Sequence, residues 1–361
     1  MARRASLGAA WAKAFQRSAT AFARQGTKVV QRSVRSALKS ATKQAGATVR
    51  RHVNSAVKQA AAARRPPAGA GTWVSAAVVG PAGVRRYWLY RPPGVQGRER
   101  RPLLVMLHGC AQDALGFAHS TRVHRLAARD RAFVLWPEQD RLAQPQGCWN
   151  WYGTRAGQAQ AEAATLMAAI DQVTLLNRID RQRVAIAGLS AGASMAALMV
   201  EQHPERFAAL VMHSGVPPGT AHSAATAIGA MTGHRARRAP PAAPAADAAE
   251  STRPPLLVIH GAADPVVAAA NGQAAAQQWA AAVGARAGAP REVRRGRRRA
   301  MTVTDFKRQR RTRVTLCEVQ GLGHAWSGAP ARLPFGDPTG PDASRLLWAF
   351  VMRHWRAETA S

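Results

Sequence analysis

The chain has 361 residues, 47% of them hydrophobic, which is enough to bury a sizeable core. No apolar run approaches the ~20 residues of a transmembrane helix, so the sequence argues against a membrane-spanning protein. A net charge of +32 favours anionic surfaces such as phospholipid, nucleic acid or an acidic granule coat.

The first 65 residues form a cationic arm, in which Lys and Arg punctuate an Ala/Ser/Thr-rich sequence that has no Asp or Glu. Its apolar residues recur mostly at four- and seven-residue steps, which predicts a helix suited to an anionic lipid layer or a polymer granule. Gly26, Gly46 and many Ser and Thr residues fit a disordered tail equally well. The basic start resembles an export signal, but Lys13 and Arg17 interrupt the apolar segment, so no signal peptide is predicted.

The remaining residues, 66–361, alternate between strand and helix patterns. Strand patterns lie at residues 72–79, 86–90, 103–107, 133–136, 184–187, 209–213, 256–260 and 314–319. Helical patterns lie at residues 117–131, 158–177, 191–203, 272–283 and 343–356. This alternation predicts one α/β domain, in which helices cover both faces of a mainly parallel sheet.

Two segments interrupt the alternation. Residues 217–255 are rich in Pro and Ala, and we interpret them as a long loop over the site. Residues 286–313 are an Arg-rich insertion with Phe306 as its only aromatic residue. Channels for single-stranded nucleic acid interleave aromatic and basic residues, so no specific nucleic acid is expected here. The sequence of this segment fits solvated arginines that bind no ligand nearly as well as it fits a surface that binds anions.

The most informative motif is Gly-Leu-Ser-Ala-Gly at residues 188–192, which follows an apolar strand pattern and precedes a helical one. This context is typical of a nucleophile elbow, in which a tight strand-to-helix turn exposes the serine hydroxyl. Ser190 is therefore the candidate nucleophile. A serine that only caps the following helix would give the same five residues, so the prediction depends on partners elsewhere in the chain.

A serine nucleophile needs a general base, and the base needs an orienting carboxylate. Asp264 follows the strand pattern at 256–260, and His324 lies in a glycine-rich loop after the pattern at 314–319. The order Ser190, Asp264, His324 is that of an α/β-hydrolase triad. His213 and His260 end apolar strands and are interpreted as hydrogen-bonded strand-end residues. Asp247 and Glu250 remain alternatives to Asp264 as the orienting acid.

The developing oxyanion needs preorganised N–H donors. We assign them to the backbone amides of Cys110, in the His-Gly loop after the strand pattern at 103–107, and of Ala191. The His108 ring is expected to brace this loop without transferring protons. Cys110 and Cys148 could form a disulfide at the mouth of the site, and two reduced thiols fit the sequence equally well.

Several motifs together resemble the poly(3-hydroxybutyrate) depolymerase family of esterases. They are His-Gly-Cys-Ala-Gln at 108–112, Trp-Pro-Glu-Gln at 136–139, Cys-Trp-Asn-Trp at 148–151, the elbow segment at 183–195 and Gly-His-Ala-Trp-Ser-Gly at 323–328. The resemblance covers the chain from about residue 85 to its end. It implies an α/β-hydrolase fold, and the family's triad matches Ser190, Asp264 and His324.

The resemblance implies a serine esterase, with 3-hydroxybutyrate-type polyester or oligomers as the expected substrate. Feruloyl or acetylxylan esters are the first alternative, because the family also contains such esterases. The second alternative is a granule- or nucleic-acid-binding protein that uses its basic arm. Trp149 and Trp326 are expected to contact substrate, and no metal or cofactor is implied. The family suggests an extracellular location, whereas the missing signal peptide suggests a cytoplasmic or granule-associated one.

Overall fold

The computed structural model describes residues 65–95, 99–233 and 252–357. Its strands are β1 (Thr72–Gly80), β2 (Gly83–Arg91), β3 (Arg101–Leu107), β4 (Phe133–Pro137), β5 (Ile179–Leu189), β6 (Ala209–His213), β7 (Leu256–Gly261), β8 (Arg286–Ala287), β9 (Arg291–Val293), β10 (Met301–Arg308), β11 (Arg311–Val319), β12 (Trp326–Ser327) and β13 (Gly336–Asp337). Its α-helices are α1 (Ala114–Thr121), α2 (Val123–Asp130), α3 (Gln158–Leu176), α4 (Ala191–Gln202), α5 (Ala224–Met231), α6 (Ala270–Ala282) and α7 (Ala343–Ala357). The cationic arm lies outside the described residues, except for Arg65.

Eleven strands form one sheet in the order β1-β2-β4-β3-β5-β6-β7-β11-β10-β8, and β9 also pairs with β10. The pairs from β4 through β3, β5, β6 and β7 to β11 are parallel. The flanking pairs, β1 with β2, β2 with β4 and β10 with β11, are antiparallel. The structure thus confirms the predicted mainly parallel sheet and adds an antiparallel edge at each side.

The central strands are almost entirely apolar because both of their faces are covered. All residues of β4, β6 and β7 are buried, as are six of the seven in β3. Helices α3 and α4 contact each other and pack on β5, while α2 and α7 contact each other and α7 packs on β5, β6 and β7. The carboxyl ends of the parallel strands therefore meet at one edge of a rigid sheet, where loops can hold functional groups.

The predicted single helix over residues 117–131 is wrong. The structure has two helices, α1 and α2, because Arg122 between them adopts the left-handed conformation with φ of 54°. The Arg122 amide closes α1 by donating to Ala118 O, and Arg122 Nη2 donates to Gly328 O at 2.8 Å. The break between the two helices is thus accompanied by a contact with a residue 206 positions away in sequence, which the local helical pattern cannot show.

The two interrupting segments contain secondary structure that the sequence analysis did not predict. Helix α5 lies within the segment interpreted as a loop, and begins with a capping box between Ser223 and Thr226. Residues 234–251 of that segment are outside the described residues. The Arg-rich insertion forms β8, β9, all of β10 and the start of β11, and the first three of these strands extend the sheet beyond β11. Among the described residues, no helix is both long and apolar enough to cross a membrane.

Candidate active site

Ser190 lies on a sharp turn between β5 and α4, with φ of 56° and ψ of −121°. A non-glycine residue with positive φ is strained, and such strain persists only where surrounding contacts enforce it. The glycines two residues before and two residues after Ser190 lack a Cβ, so the turn can lie close to the neighbouring backbone. A Cβ on Gly188 would lie within 3.0 Å of Gly192 backbone, and one on Gly192 within 3.0 Å of Leu107 O. Both glycines of the motif are therefore required by backbone packing.

Asp264 and His324 form the most direct side-chain contact at this edge. His324 Nδ1 lies 2.8 Å from Asp264 Oδ2, and both side chains are buried. The amides of Val266 and Val267 donate to Asp264 Oδ1, each at 2.9 Å. Burial alone would raise the pKa of the Asp264 carboxyl, but its hydrogen bond and charge interaction with His324 bring the pKa below its usual value. Asp264 is thus held as a carboxylate that fixes the orientation of the His324 ring.

The sheet order places the three predicted triad residues at the same edge. Ser190 follows β5, Asp264 follows β7, and His324 follows β11, and these strands lie side by side with β6 between β5 and β7. The amide of Ser190 donates to the carbonyl of His213, the last residue of β6, at 2.8 Å. The elbow is therefore tied to the strand that separates it from Asp264.

The loop after β3 carries the first predicted oxyanion donor. The neighbouring amides are occupied, because Gly109 N donates to Gln112 Oε1 at 2.9 Å and Ala111 N to Gln146 O at 2.8 Å. Within the described residues, the amides of Cys110 and Ala191 donate no hydrogen bond. Cys110 forms a disulfide with Cys148, and their Cα atoms are 4.2 Å apart. Cys317 is a buried free cysteine.

His108 braces this loop from below. Its Nδ1 lies 2.8 Å from Gly109 O, and its Nε2 accepts a hydrogen bond from the Gln139 amide at 3.1 Å. Burial lowers the pKa of His108 to about 4, so the ring is neutral near pH 7. This geometry agrees with a bracing role, since both ring nitrogens are already engaged with backbone.

Trp149 and Trp326, which the sequence predicts to contact substrate, are buried in the interior. Their exposed fractions are 0% and 1%. Trp149 Nε1 donates to His108 O at 2.8 Å, and Trp326 Nε1 donates to Ser344 Oγ at 3.0 Å. An indole whose N–H is satisfied in the interior serves packing. The prediction rested on their position next to the motifs, because sequence does not show which way a side chain points. Substrate contact by either indole stays a prediction.

His213 is hydrogen-bonded at the end of β6, as the sequence predicts, and it also supports the site, which was not predicted. Its ring stacks on Trp326 with centroids 5.0 Å apart, and its Nε2 accepts from the Ser327 amide at 3.3 Å. Burial, followed by the charges of His260 and His324, lowers the pKa of His213 to about 3. The neutral ring therefore supports the loop that carries His324, while its carbonyl holds the elbow. Its place at the end of an apolar strand was the available signal.

A buried polar network that the sequence analysis also missed holds the disulfide loop. Glu162 on α3 lies 3.3 Å from Arg85 Nη2, and accepts from the Asn150 amide at 2.6 Å and from Gln139 Nε2 at 2.5 Å. Gln139 Nε2 also donates to Cys148 O at 2.8 Å. These contacts join β2 and α3 to residues 139–150, which include the disulfide-bonded Cys148. The Gln139 and Asn150 positions lie in the quoted motifs, whereas nothing local marks Arg85.

His260 lies beside Asp264, but its closer partner is a backbone carbonyl. Its Nε2 is 2.9 Å from Val267 O and 3.7 Å from Asp264 Oδ2. Burial is the main cause that lowers the pKa of His260, and its Nδ1 has no hydrogen-bond partner among the described residues. The described part of the chain has no group of three or more His, Cys, Asp or Glu that could hold a metal ion.

The chain matches a known protein family over more than half of its length. The family described as Esterase PHB depolymerase matches residues 85–300. The poly(3-hydroxyalkanoate) depolymerase C of Paucimonas lemoignei is 28% identical over 183 residues, which are 49% of this chain and 44% of that protein. The acetylxylan esterase A of Emericella nidulans is 24% identical over 218 residues, which are 57% of this chain and 70% of that protein. The match thus spans less than half of the Paucimonas relative.

Solved structures show the same fold. The acetyl xylan esterase from Aspergillus awamori superposes with a TM-score of 0.57 at 18% identity, covering 70% of this chain and 94% of that chain. A ferulic acid esterase superposes with a TM-score of 0.52 at 15% identity, covering 79% and 99% of the two chains. These likenesses and the sheet topology confirm the predicted α/β-hydrolase fold.

Proposed function

Because the chain belongs to the Esterase PHB depolymerase family, we propose that it hydrolyses carboxylic esters through an acyl-enzyme on Ser190. The observation that carries this proposal is the 2.8 Å contact between His324 Nδ1 and Asp264 Oδ2, at the sheet edge where the elbow presents Ser190. A histidine held by a buried carboxylate at its Nδ1 keeps its Nε2 available as a base. The rings of His108 and His213 already accept backbone hydrogen bonds, which supports the choice of His324 as the base.

The reaction proceeds in two steps. His324 Nε2 takes the Ser190 proton as Oγ attacks the ester carbonyl, and Asp264 stabilises the imidazolium that forms. The amides of Cys110 and Ala191 hold the oxyanion, and collapse of the intermediate expels the alcohol, which takes the proton from His324. Water then attacks the acyl-enzyme with His324 again as base, which releases the acid and restores Ser190.

We propose a 3-hydroxybutyrate-type polyester or its oligomers as the substrate, supported by the family match and by the Paucimonas depolymerase relative. Acetylated or feruloylated polysaccharide is the second candidate. It is favoured by the Emericella acetylxylan esterase, of which the match covers a larger share. The buried Trp149 and Trp326 no longer argue for either acyl group, so a substrate panel has to separate the two candidates.

The test uses the purified full-length chain on p-nitrophenyl butyrate, a poly(3-hydroxybutyrate) suspension, acetylated xylan and methyl ferulate. We expect ester hydrolysis that Ser190→Ala abolishes and that the control Ser120→Ala retains, because Ser120 lies on α1 with its Oγ bonded to Gly116 O. Release of 3-hydroxybutyrate supports the first candidate, and release of acetate or ferulate the second. Undiminished activity of Ser190→Ala would refute the mechanism, and a folded wild-type chain inactive on every ester would favour a binding protein.

A further inference from the structure

A cleft of about 510 Å³ lies in the part of the molecule that the Arg-rich insertion helps to form. It is lined by the residues after β9, the start of β10, the first turns of α7 and the Arg122 turn between α1 and α2. Five arginines face it, namely Arg122, Arg295, Arg298, Arg299 and Arg345. Its lining includes none of the proposed catalytic residues, so it is a separate feature of the surface.

Three of these arginines are held in place by one or two contacts, Arg122 and Arg298 by one each and Arg299 by both Thr339 and Asp337. Arg122 donates to Gly328 O at 2.8 Å, Arg298 to Gly340 O at 2.6 Å, and Arg299 Nε to Thr339 Oγ1 at 2.9 Å. A guanidinium carries five N–H donors in a fixed fork. These contacts pre-position the three side chains, and most donors of Arg122 and Arg298 stay available to a ligand.

The side chains of the other two arginines are exposed. Arg295 is exposed, and its side chain has no hydrogen-bond or ion-pair partner among the described residues. Arg345 is 78% exposed and lies 3.7 Å from Asp342. Such a long, exposed ion pair contributes little to stability, so neither arginine is explained by the fold.

Charge and apolar lining together restrict what the cleft can take. The five arginines are opposed by two carboxylates, Asp342 in the lining and Asp337 at 3.3 Å from Arg299, which leaves an excess of three positive charges. A monocarboxylate would neutralise only one of them. The lining also includes Val293, Met301 and Leu346, which offer an apolar wall beside the guanidinium groups.

We propose that this cleft binds an amphiphilic phosphate, with a phosphate monoester or diphosphate head on the arginines and an apolar body on the wall. Guanidinium forks match phosphate oxygens in bidentate pairs, and a head of two to three negative charges balances the excess. The volume is that of a small-molecule site. The same chemistry is found in free organic phosphates and in the headgroup of a phospholipid such as phosphatidic acid.

The test measures binding of 1-naphthyl phosphate to the full-length chain by isothermal titration calorimetry. We expect saturable 1:1 binding that Arg295→Gln/Arg345→Gln weakens about tenfold or more, the usual effect of lost charge-assisted hydrogen bonds. The matched control is Arg294→Gln/Arg297→Gln, which removes the same charge from exposed residues of the same segment outside the cleft lining. Equal weakening in both variants, or no saturable binding, overturns the proposal. Equal affinity for inorganic phosphate and 1-naphthyl phosphate overturns its apolar part.

Sedimentation with phosphatidylcholine vesicles, with and without phosphatidic acid, identifies the source of the head. If sedimentation with phosphatidic acid falls in the cleft variant but not in the control, the ligand is a lipid headgroup. If both variants sediment alike while only the cleft variant loses 1-naphthyl phosphate, the ligand is a free organic phosphate. Unchanged hydrolysis of p-nitrophenyl butyrate by both variants verifies that they are folded.

Discussion

The sheet edge that carries Ser190, Asp264 and His324 is the proposed catalytic edge, and it differs from the arginine cleft in how its polar groups are held. At the catalytic edge, the rings of His108, His213 and His324 are buried, and each is fixed by a backbone or carboxylate partner. In the cleft, the arginines range from half-buried to exposed, and Arg122 and Arg298 each donate one hydrogen bond to a backbone carbonyl and keep spare donors. Catalysis needs groups that do not reorganise during the reaction, whereas capture of an ion needs donors that are free before it arrives.

The largest expected effect comes from breaking the Asp264–His324 contact. Asp264→Asn should lower kcat/KM for p-nitrophenyl butyrate by a factor on the order of 10⁴, because the amide no longer stabilises the imidazolium. Asp247→Asn, which changes the alternative acid, should retain activity, as should the cleft variant Arg295→Gln/Arg345→Gln. If Asp247→Asn were inactive and Asp264→Asn active, the assignment of the orienting acid would be wrong.

The disulfide makes the catalytic edge more constrained than the cleft. Its two cysteines are 38 residues apart in sequence, and closing a loop of that length stabilises a fold by about 4 kcal/mol through the entropy of the unfolded chain. Cys110→Ser/Cys148→Ser should therefore lower the free energy of unfolding in urea by about that amount, whereas Cys317→Ala should lower it less. Thiol counting on the denatured, unreduced protein should find one free thiol. Three free thiols would contradict the bridge.

Glycine substitutions compare how closely the backbone is packed at the elbow and in the segment that lines the cleft. Gly192→Ala should cost about 3 kcal/mol of unfolding free energy, because a Cβ there meets the Leu107 carbonyl within 3.0 Å. Gly296→Ala, in the segment that lines the cleft, should cost only about 1 kcal/mol. A Cβ at Gly296 meets nothing within 4 Å, and its φ of +58° is the only strain. Equal costs in urea denaturation would show that the elbow is not closely packed.

Acidification should destabilise the fold through the buried histidines of the catalytic edge, whereas the arginines of the cleft keep their charge. The unfolded chain protonates His108 and His213 near pH 6.5, whereas burial lowers their folded pKa values to about 4 and about 3. Stability is therefore complete above pH 6.5 and falls with pH, by up to about 1.4 kcal/mol per pH unit for each histidine. Urea denaturation at pH 7.5, 6 and 5 measures this slope. His213→Gln should remove the contribution of one histidine from this slope. An unchanged slope would contradict the assignment of a neutral His213 ring in the folded protein.

The sequence alone predicted the fold, and it located candidate catalytic residues wherever the signal was local. The elbow motif and the strand patterns around it located Ser190, and strand-end positions located Asp264 and His324, of which the structure brings the last two into contact. Parallel strands explain this success, because their carboxyl ends meet at one edge whatever the intervening sequence. The triad as a working unit remains a prediction, since only activity measurements test it.

Tertiary structure decided everything that depends on contacts between distant residues. The break at Arg122, the interior position of Trp149 and Trp326, and the support of the His324 loop by His213 each involve partners that no sequence window contains. The arginine cleft is the clearest case. The sequence showed a basic run at 286–313, but the cleft exists only because β9 and β10 extend the sheet and bring that run against α7 and Arg122. Composition determines how much charge a segment carries, and folding determines which charges face each other.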